Sequence, residues 1–330
     1  MEGNEVIKAK DLTKWFPVRK GFLSTILSRK ELFVRAVDGI SFNIKKGEIF
    51  GLAGESGSGK TTTGRLLLRL IEPTSGNTYF EGKDLATISE VELKPLREKM
   101  QIIFQDPYES LNPRMTLTTI ISEPISVLGR TSSEAEKLER VKKVLEEVEL
   151  IPPEEFLHRY PHELSGGQRQ RVAVARAFIL KPEFVVADEP VSMLDVSIRA
   201  EILDLMFTMV EKYKASFLYI THDLALARHM CDRLAIMYLG KIMEMGTTER
   251  VIFESLHPYT KALIDAVPVP DPTAKRIKVV IKGEIPSPIN PPSGCRFHTR
   301  CPIADEICRK KEPPLIDFAD GHLVACHKAG

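Results

Sequence analysis

The sequence predicts an α/β fold with four parts: a mixed-sheet core, an N-terminal antiparallel β-subdomain, a helical subdomain and a proline-rich C-terminal extension. Three observations predict it. Apolar runs at Glu48–Ala53, Phe184–Ala187 and Ser216–Ile220 have the length of buried strands, and helical stretches separate them, as in a parallel sheet covered on both faces. The first run leads through a glycine-rich turn straight into a helical segment. Between Ala135 and Leu150, the residues Leu138, Val141, Val144, Leu145 and Val148 recur at helical spacing, which predicts a helix with one buried stripe.

The elements follow in chain order. The first 45 residues alternate as an antiparallel sheet does, and the basic insertion Arg19–Arg35 reads as a solvated loop, with contact to lipid headgroups as a second option. The strand at Glu48–Ala53 is followed by a helix from about Thr61 to Leu70, ending before Pro73. Ile88–Leu150 is mostly helical, within a helical subdomain spanning about residues 88–180. After about Phe253 the composition shifts. Pro258, Pro268, Pro270, Pro272, Pro286, Pro288, Pro291 and Pro292 predict an extended tail wrapped on the main domain, with a small cysteine-held knot at its end. The domain expectation is therefore 1–253 for the main domain and 254–330 for the extension.

Composition narrows the function. The 330 residues are 43% hydrophobic and 28% charged, ordinary globular values, and the formal net charge of +1 lacks the basic excess of a nucleic-acid binder. Residues Met1–Trp15 carry no apolar stretch of signal-peptide type, and no run of eighteen apolar residues occurs, so a membrane role is expected to act through a partner. Of five cysteines, Cys231 stands alone and Cys295, Cys301, Cys308 and Cys326 cluster late. In the reducing compartment expected here, such clusters bind metal more often than they form disulfides.

The glycine-rich turn is Gly54-Glu55-Ser56-Gly57-Ser58-Gly59-Lys60-Thr61-Thr62, a full match to the phosphate-loop pattern in the strand-to-helix context that the pattern requires. Gly54, Gly57 and Gly59 let backbone N–H groups approach phosphate closely. Lys60 supplies the countercharge to the β- and γ-phosphates, Thr61 offers a hydroxyl to Mg²⁺, and the helix dipole adds positive potential. Without Lys60 and Thr61 the segment would be an ordinary turn. The run Phe184–Ala187 ends in Asp188 and Glu189, at the strand end where open α/β sheets bind ligands. Asp188 is the expected Mg²⁺ ligand and Glu189 the expected base toward an attacking water. Alone, two adjacent acids would be a solvated strand end; beside a phosphate loop they are not.

The segment Leu164-Ser165-Gly166-Gly167-Gln168 resembles the signature sequence of the ABC ATPases. The rest of that family's pattern is present in order over roughly residues 5–250. Gln105 resembles the Q-loop glutamine, Ser192-Met-Leu-Asp195 the D-loop with Met193 where alanine is commoner, and His222 the switch histidine. The resemblance implies a P-loop NTPase fold of ABC type that hydrolyses ATP with Mg²⁺. It implies two subunits packed head to tail, with ATP held between the phosphate loop of one and the signature of the other. It also implies contact of Gln105 with Mg²⁺ or the attacking water, of His222 with the γ-phosphate, and of Asp195 across the dimer. An aromatic residue near the first strand is expected to stack on adenine; Trp15 and Phe16 are the candidates, and the distance from Leu12-Thr-Lys favours Phe16.

The tail segments His257–Leu263 and Gly283–Cys295 resemble the extension of the ATPases that serve oligopeptide and dipeptide importers, within them the second ATPase of the pair. That implies several partners: a second ATPase subunit in a heterodimer (a homodimer in isolation), two transmembrane permeases and an extracytoplasmic substrate-binding protein. It places the chain peripherally on the cytoplasmic face of the cell membrane, without a nucleic-acid partner. Nickel or another small solute is an alternative cargo, and a non-transport ABC ATPase acting on nucleic acid is the rival class. The four late cysteines, at wider spacing than zinc sites prefer, suit a [4Fe–4S] cluster better than Zn²⁺; free thiols are the plain alternative, and His298, His322 and His327 lie near as substitutes.

Overall fold

The computed structural model describes residues 4–18, 31–130, 133–267, 281 and 283–329. Most of the basic insertion (19–30) and Pro268, Pro270 and Pro272 lie outside the described residues. In chain order the elements are β1 Glu5–Pro17, β2 Phe33–Lys45, β3 Ile49–Ala53, α1 Lys60–Leu67, β4 Ser75–Phe80, β5 Lys83–Asp84, α2 Glu90–Lys99, β6 Met100–Ile103, α3 Pro107–Ser110, α4 Leu117–Val127, α5 Glu134–Glu147, α6 Gly166–Phe178, β7 Phe184–Asp188, α7 Val196–Tyr213, β8 Ser216–Thr221, α8 Leu224–Met230, β9 Arg233–Tyr238, β10 Lys241–Thr247, α9 Thr248–Phe253, α10 Pro258–Ala266, α11 Glu306–Lys310, β11 Ile316–Ala319 and β12 His322–Val324. Among the described residues no helix is long and apolar enough to cross a membrane.

The chain divides into two compact units. The first comprises Met1–Val6, Ile44–Glu48 and Thr87–Tyr219. In it β6 pairs parallel with β7, Met100 opposite Phe184 and Ile103 opposite Ala187. Every residue of β7 is buried, which is why its sequence reads as a continuous apolar run rather than an alternation. The helix expected at 135–150 is α5, started by Ser133, whose side chain accepts from the Glu136 amide. Its stripe is buried at Val141, Val144, Leu145 and Val148, but Leu138 remains 38% exposed. β6 departs from the helical expectation for this stretch: four residues between two helices are too few to show a period.

The second unit comprises Ile7–Asn43, Ile49–Ala86 and Ile220–Gly330. It holds the expected antiparallel sheet, in the order β2-β1-β4-β5, and a mixed sheet in which β3 pairs parallel with β9 while β9, β10, β12 and β11 pair antiparallel in turn. α1 stops three residues earlier than expected, because Arg69 turns the chain into the left-handed region at φ 48°. The tail is not merely extended. Its β11–β12 hairpin adds to β10, with Glu244 opposite Val324. Glu244 is fully buried there, and its carboxylate accepts from the amides of Leu256 (2.8 Å) and His257 (3.1 Å) and meets His322 Nε2 at 2.8 Å. A buried carboxylate needs such partners, and here they fasten three segments together.

Candidate functional site

The phosphate loop is built in the second unit. β3 is buried throughout and delivers the chain to Gly54. A Cβ on Gly54 would lie 2.1 Å from the Met237 carbonyl oxygen, and one on Gly59 would lie 2.0 Å from that of Ala36, where φ is +106°. Only glycine fits either place. The loop is pinned by the Ser58 amide donating to Glu55 O (3.2 Å) and by the Gly240 amide donating to Ser58 O (2.9 Å). Lys60 is buried, and its ammonium donates to the carbonyls of Gly54 (2.8 Å) and Glu55 (3.1 Å). Ser56 and Gly57 are exposed, while Thr61 and Thr62 stand half-buried in the first turn of α1. The N–H groups of a helix's first turn have no intrahelical acceptor, so with Lys60 they form a cradle suited to an anion.

Glu55 is held in a way that its sequence did not announce. Its amide donates to Tyr259 Oη at 3.0 Å, and its carboxylate accepts two hydrogen bonds from Arg300, at 2.6 and 3.0 Å. Tyr259 is buried among Tyr238 and Phe297, with ring centroids 4.7 and 5.2 Å away. Nearby on β1, Trp15 is committed: its indole N–H donates to Asp38 Oδ1 (2.8 Å), and the Arg35 guanidinium lies 4.5 Å from its ring centre. Phe16 is 38% exposed, with Lys14 Nζ 5.1 Å from its ring centre. His222 is exposed just past β8, beside Asp223, whose carboxylate caps α8 by accepting from Ala225 (2.9 Å) and Leu226 (3.3 Å).

The first unit carries the remaining expected residues. Asp188 ends β7 and is buried. Glu189 follows at φ 45°, a left-handed conformation uncommon for a non-glycine residue. Its carbonyl accepts from both the amide (3.1 Å) and the hydroxyl (3.0 Å) of Ser192, which holds that turn. Gln105 is half-buried beyond β6, next to Asp106, whose side chain caps α3. Asp195 is exposed at the start of α7. Leu164 is buried and Ser165 opens α6 with a reciprocal cap: Ser165 Oγ accepts from the Gln168 amide (3.2 Å), and Gln168 Oε1 accepts from the Ser165 amide (3.0 Å). A Cβ on Gly167 would lie 2.8 Å from Ile198 Cγ2, so this glycine lets α6 approach α7. Ser165, Gly166 and Gly167 thus form a second helix N-terminus able to grip an anion.

The four late cysteines are not in disulfides. The Cys295 amide donates to Cys308 O (2.8 Å), and Gly294, at φ +68°, permits that approach. Burial pushes the Cys295 thiol up to about 11, and the charges of Cys326, Cys308 and Cys301 add to the shift. Burial likewise raises Cys301 and Cys308. Among the described residues no group of three or more His, Cys, Asp or Glu side chains is arranged to hold a metal ion. The donor set as placed supports neither the expected [4Fe–4S] cluster nor its alternative, Zn²⁺. His298 and His327 are occupied by backbone carbonyls, of Cys295 (2.9 Å) and Lys311 (2.8 Å), and His322 by Glu244.

Comparison with known proteins agrees with this geometry. Residues 37–192 match the model of the ABC transporter family, and residues 243–308 match that of the oligopeptide/dipeptide transporter C-terminal region. The chain is 48% identical over 98% of its length to an oligopeptide transport ATP-binding protein, AppF, of Bacillus subtilis, covering 97% of that protein. It is 50% identical over 89% of its length to a putative peptide import ATP-binding protein of Brucella ovis, covering 92% of it. Among solved structures, a dimeric post-hydrolysis ATP-binding cassette, MJ0796, bound to ADP and Pi is similar at TM-score 0.63 and 29% identity, covering 73% of this chain and 98% of that one.

Proposed function

The chain belongs to the ABC transporter ATPases of the oligopeptide/dipeptide group, and on that premise we propose that it binds and hydrolyses ATP to energise import of dipeptides or oligopeptides through the residues described above. The observation that carries the reading is that one chain holds both a complete phosphate cradle, Gly54 to Thr62, and a second anion-gripping helix start at Ser165–Gly167.

In this reading the amides of Gly57 to Thr61 and the Lys60 ammonium bind the β- and γ-phosphates, and Phe16 stacks on adenine. Mg²⁺ supplies charge neutralisation between those phosphates; Thr61, Gln105 and Asp188 would hold it, and a buried carboxylate at the end of an apolar strand suits a cation. Glu189 takes a proton from water, whose oxygen forms the new bond to the γ-phosphorus as the bond to the β–γ bridging oxygen breaks, giving ADP and phosphate. His222 holds the γ-phosphate in line. Ser165 and the amides of Gly166 and Gly167 act on the nucleotide of a partner subunit, with Leu164 and Gln168 shaping that helix start and Asp195 bridging the pair. The partner is a second ATPase subunit. Two transmembrane permeases and an extracytoplasmic binding protein complete the assembly at the cytoplasmic face of the membrane, and residues 254–330 serve as its importer-type extension. The import name of a relative supports this arrangement. A [4Fe–4S] cluster on Cys295, Cys301, Cys308 and Cys326 is proposed from their grouping in the sequence alone; protein prepared without oxygen and free of iron and acid-labile sulfide would remove it.

The test is Glu189→Gln. Turnover should fall by about 10²-fold or more while ATP binding persists, and the ATP-loaded variant should elute as a dimer. Retained hydrolysis would overturn the role of Glu189, and a wild-type chain that fails to bind ATP would overturn the reading as a whole.

A further inference from the structure

We propose that Arg300 is a positioning residue for the ATP site, and that the cysteine-bearing turn Cys295–Cys301 works as a two-armed clamp on it. The turn is compact: the amides of Arg300 and Cys301 both donate to Phe297 O at 3.0 Å. It projects two buried arginines. The side chain of Arg300 is 9% exposed and grips the Glu55 carboxylate with both terminal nitrogens, while Tyr238 Oη lies 3.4 Å from the same guanidinium. Between the arginines, Phe297 is fully buried against Tyr238 and Tyr259, and Tyr259 takes the Glu55 amide. The second residue of the phosphate loop is therefore fixed by backbone and side chain together, from two segments of the extension, the helix that carries Tyr259 and the turn that carries Arg300.

The other arm is Arg296, whose side chain is 5% exposed and pairs with Asp38. Asp38 also accepts the Trp15 indole N–H, and Trp15 precedes Phe16 on β1. The Arg35 amide, on the same strand as Asp38, donates to Pro288 O at 3.0 Å, a further attachment of the extension to this sheet. One arm thus reaches the phosphate loop and the other the strand end that carries the expected adenine contact.

Electrostatics give the first arm a purpose beyond fastening. An acidic side chain within an anion-binding loop opposes phosphate at short range. A bidentate guanidinium cancels that charge and fixes its direction, and removal of Arg300 leaves the half-buried Glu55 carboxylate uncompensated. Arg300 is expected to act on nucleotide affinity rather than on the chemical step. The inference rests on the ATP-site reading above.

Nucleotide affinity, ATPase KM and kcat, and thermal midpoint would be measured on the full chain for wild type, Arg300→Ala, Arg300→Lys, Glu55→Gln with Arg300→Ala, and the exposed control Lys310→Ala. Arg300→Ala should weaken nucleotide binding and raise KM about tenfold or more with kcat nearly unchanged. Arg300→Lys, which keeps charge but loses the fork, should fall between. The double variant should recover nucleotide affinity to within about threefold of wild type, because the uncompensated charge is gone. Lys310→Ala should match wild type. Unchanged affinity in Arg300→Ala, or a double variant no better than the single, overturns the proposal. If Arg300→Ala does not fold, Arg300→Lys with wild-type affinity overturns it equally. Wild-type protein that binds no nucleotide would instead remove the ATP-site reading.

Discussion

Two glycines of the phosphate loop meet different demands. Gly57 sits at φ +76° with open space around its Cα, whereas Gly59, at φ +106°, has the Ala36 carbonyl where a Cβ would stand. Gly57→Ala should cost about 1–2 kcal/mol of left-handed backbone strain. Gly59→Ala should cost more, because the loop must also move off β2, and it should lose nucleotide binding where Gly57→Ala retains part of it. Urea unfolding alongside a fluorescent-nucleotide titration checks both, and equal losses would contradict the close approach. The loop was legible because phosphate chemistry fixes neighbouring residues at set spacing. Its partner Arg300 was not, since 245 residues separate it from Glu55 and no local pattern joins them. Nor did residue type reveal that Glu189 would adopt a left-handed backbone.

At the scale of the element, the start of α6 does two jobs with the same atoms. Ser165 caps the helix and also presents the anion-gripping end. Ser165→Ala should lose about 1 kcal/mol of stability together with hydrolysis. Ser165→Asp, an equally good cap, should restore stability but not turnover, because a carboxylate would face phosphate. A thermal melt paired with an ATPase assay separates the roles; full activity in Ser165→Asp would mean that the hydroxyl only caps. This element could be read from the resemblance of Leu164–Gln168 to the family signature. β6 and the β11–β12 hairpin could not. They are only four, four and three residues long, and neighbouring strands rather than intrinsic pattern make them strands.

On the scale of the whole molecule, the second unit depends on a buried neutral histidine where the extension begins. Burial holds His257 down at about 3, and its Nδ1 accepts the Tyr259 amide at 3.0 Å. Unfolded histidine titrates near 6.5. Below that pH the unfolded chain takes up a proton that the folded chain refuses, so stability falls with acidification by up to about 1.4 kcal/mol per pH unit from this one group. His257→Asn, which can still accept the Tyr259 amide, should flatten the part of the slope between about pH 6.5 and 4. Urea midpoints across that range are the check, and parallel curves for the two proteins would contradict it. The sequence indicated the extension through its prolines and cysteines. That the extension joins the mixed sheet and reaches the phosphate loop depends on the partners that Glu244, Tyr259 and Arg300 find far along the chain, which no local pattern announces.

The grip of Arg300 on Glu55 also has a consequence in time. A ribosome adding about 5–20 residues per second places the arginine roughly ten to fifty seconds after the glutamate. Throughout that interval the growing chain carries the complete phosphate motif with its acidic side chain uncompensated. A nascent subunit should therefore hold nucleotide more weakly until the cysteine turn emerges.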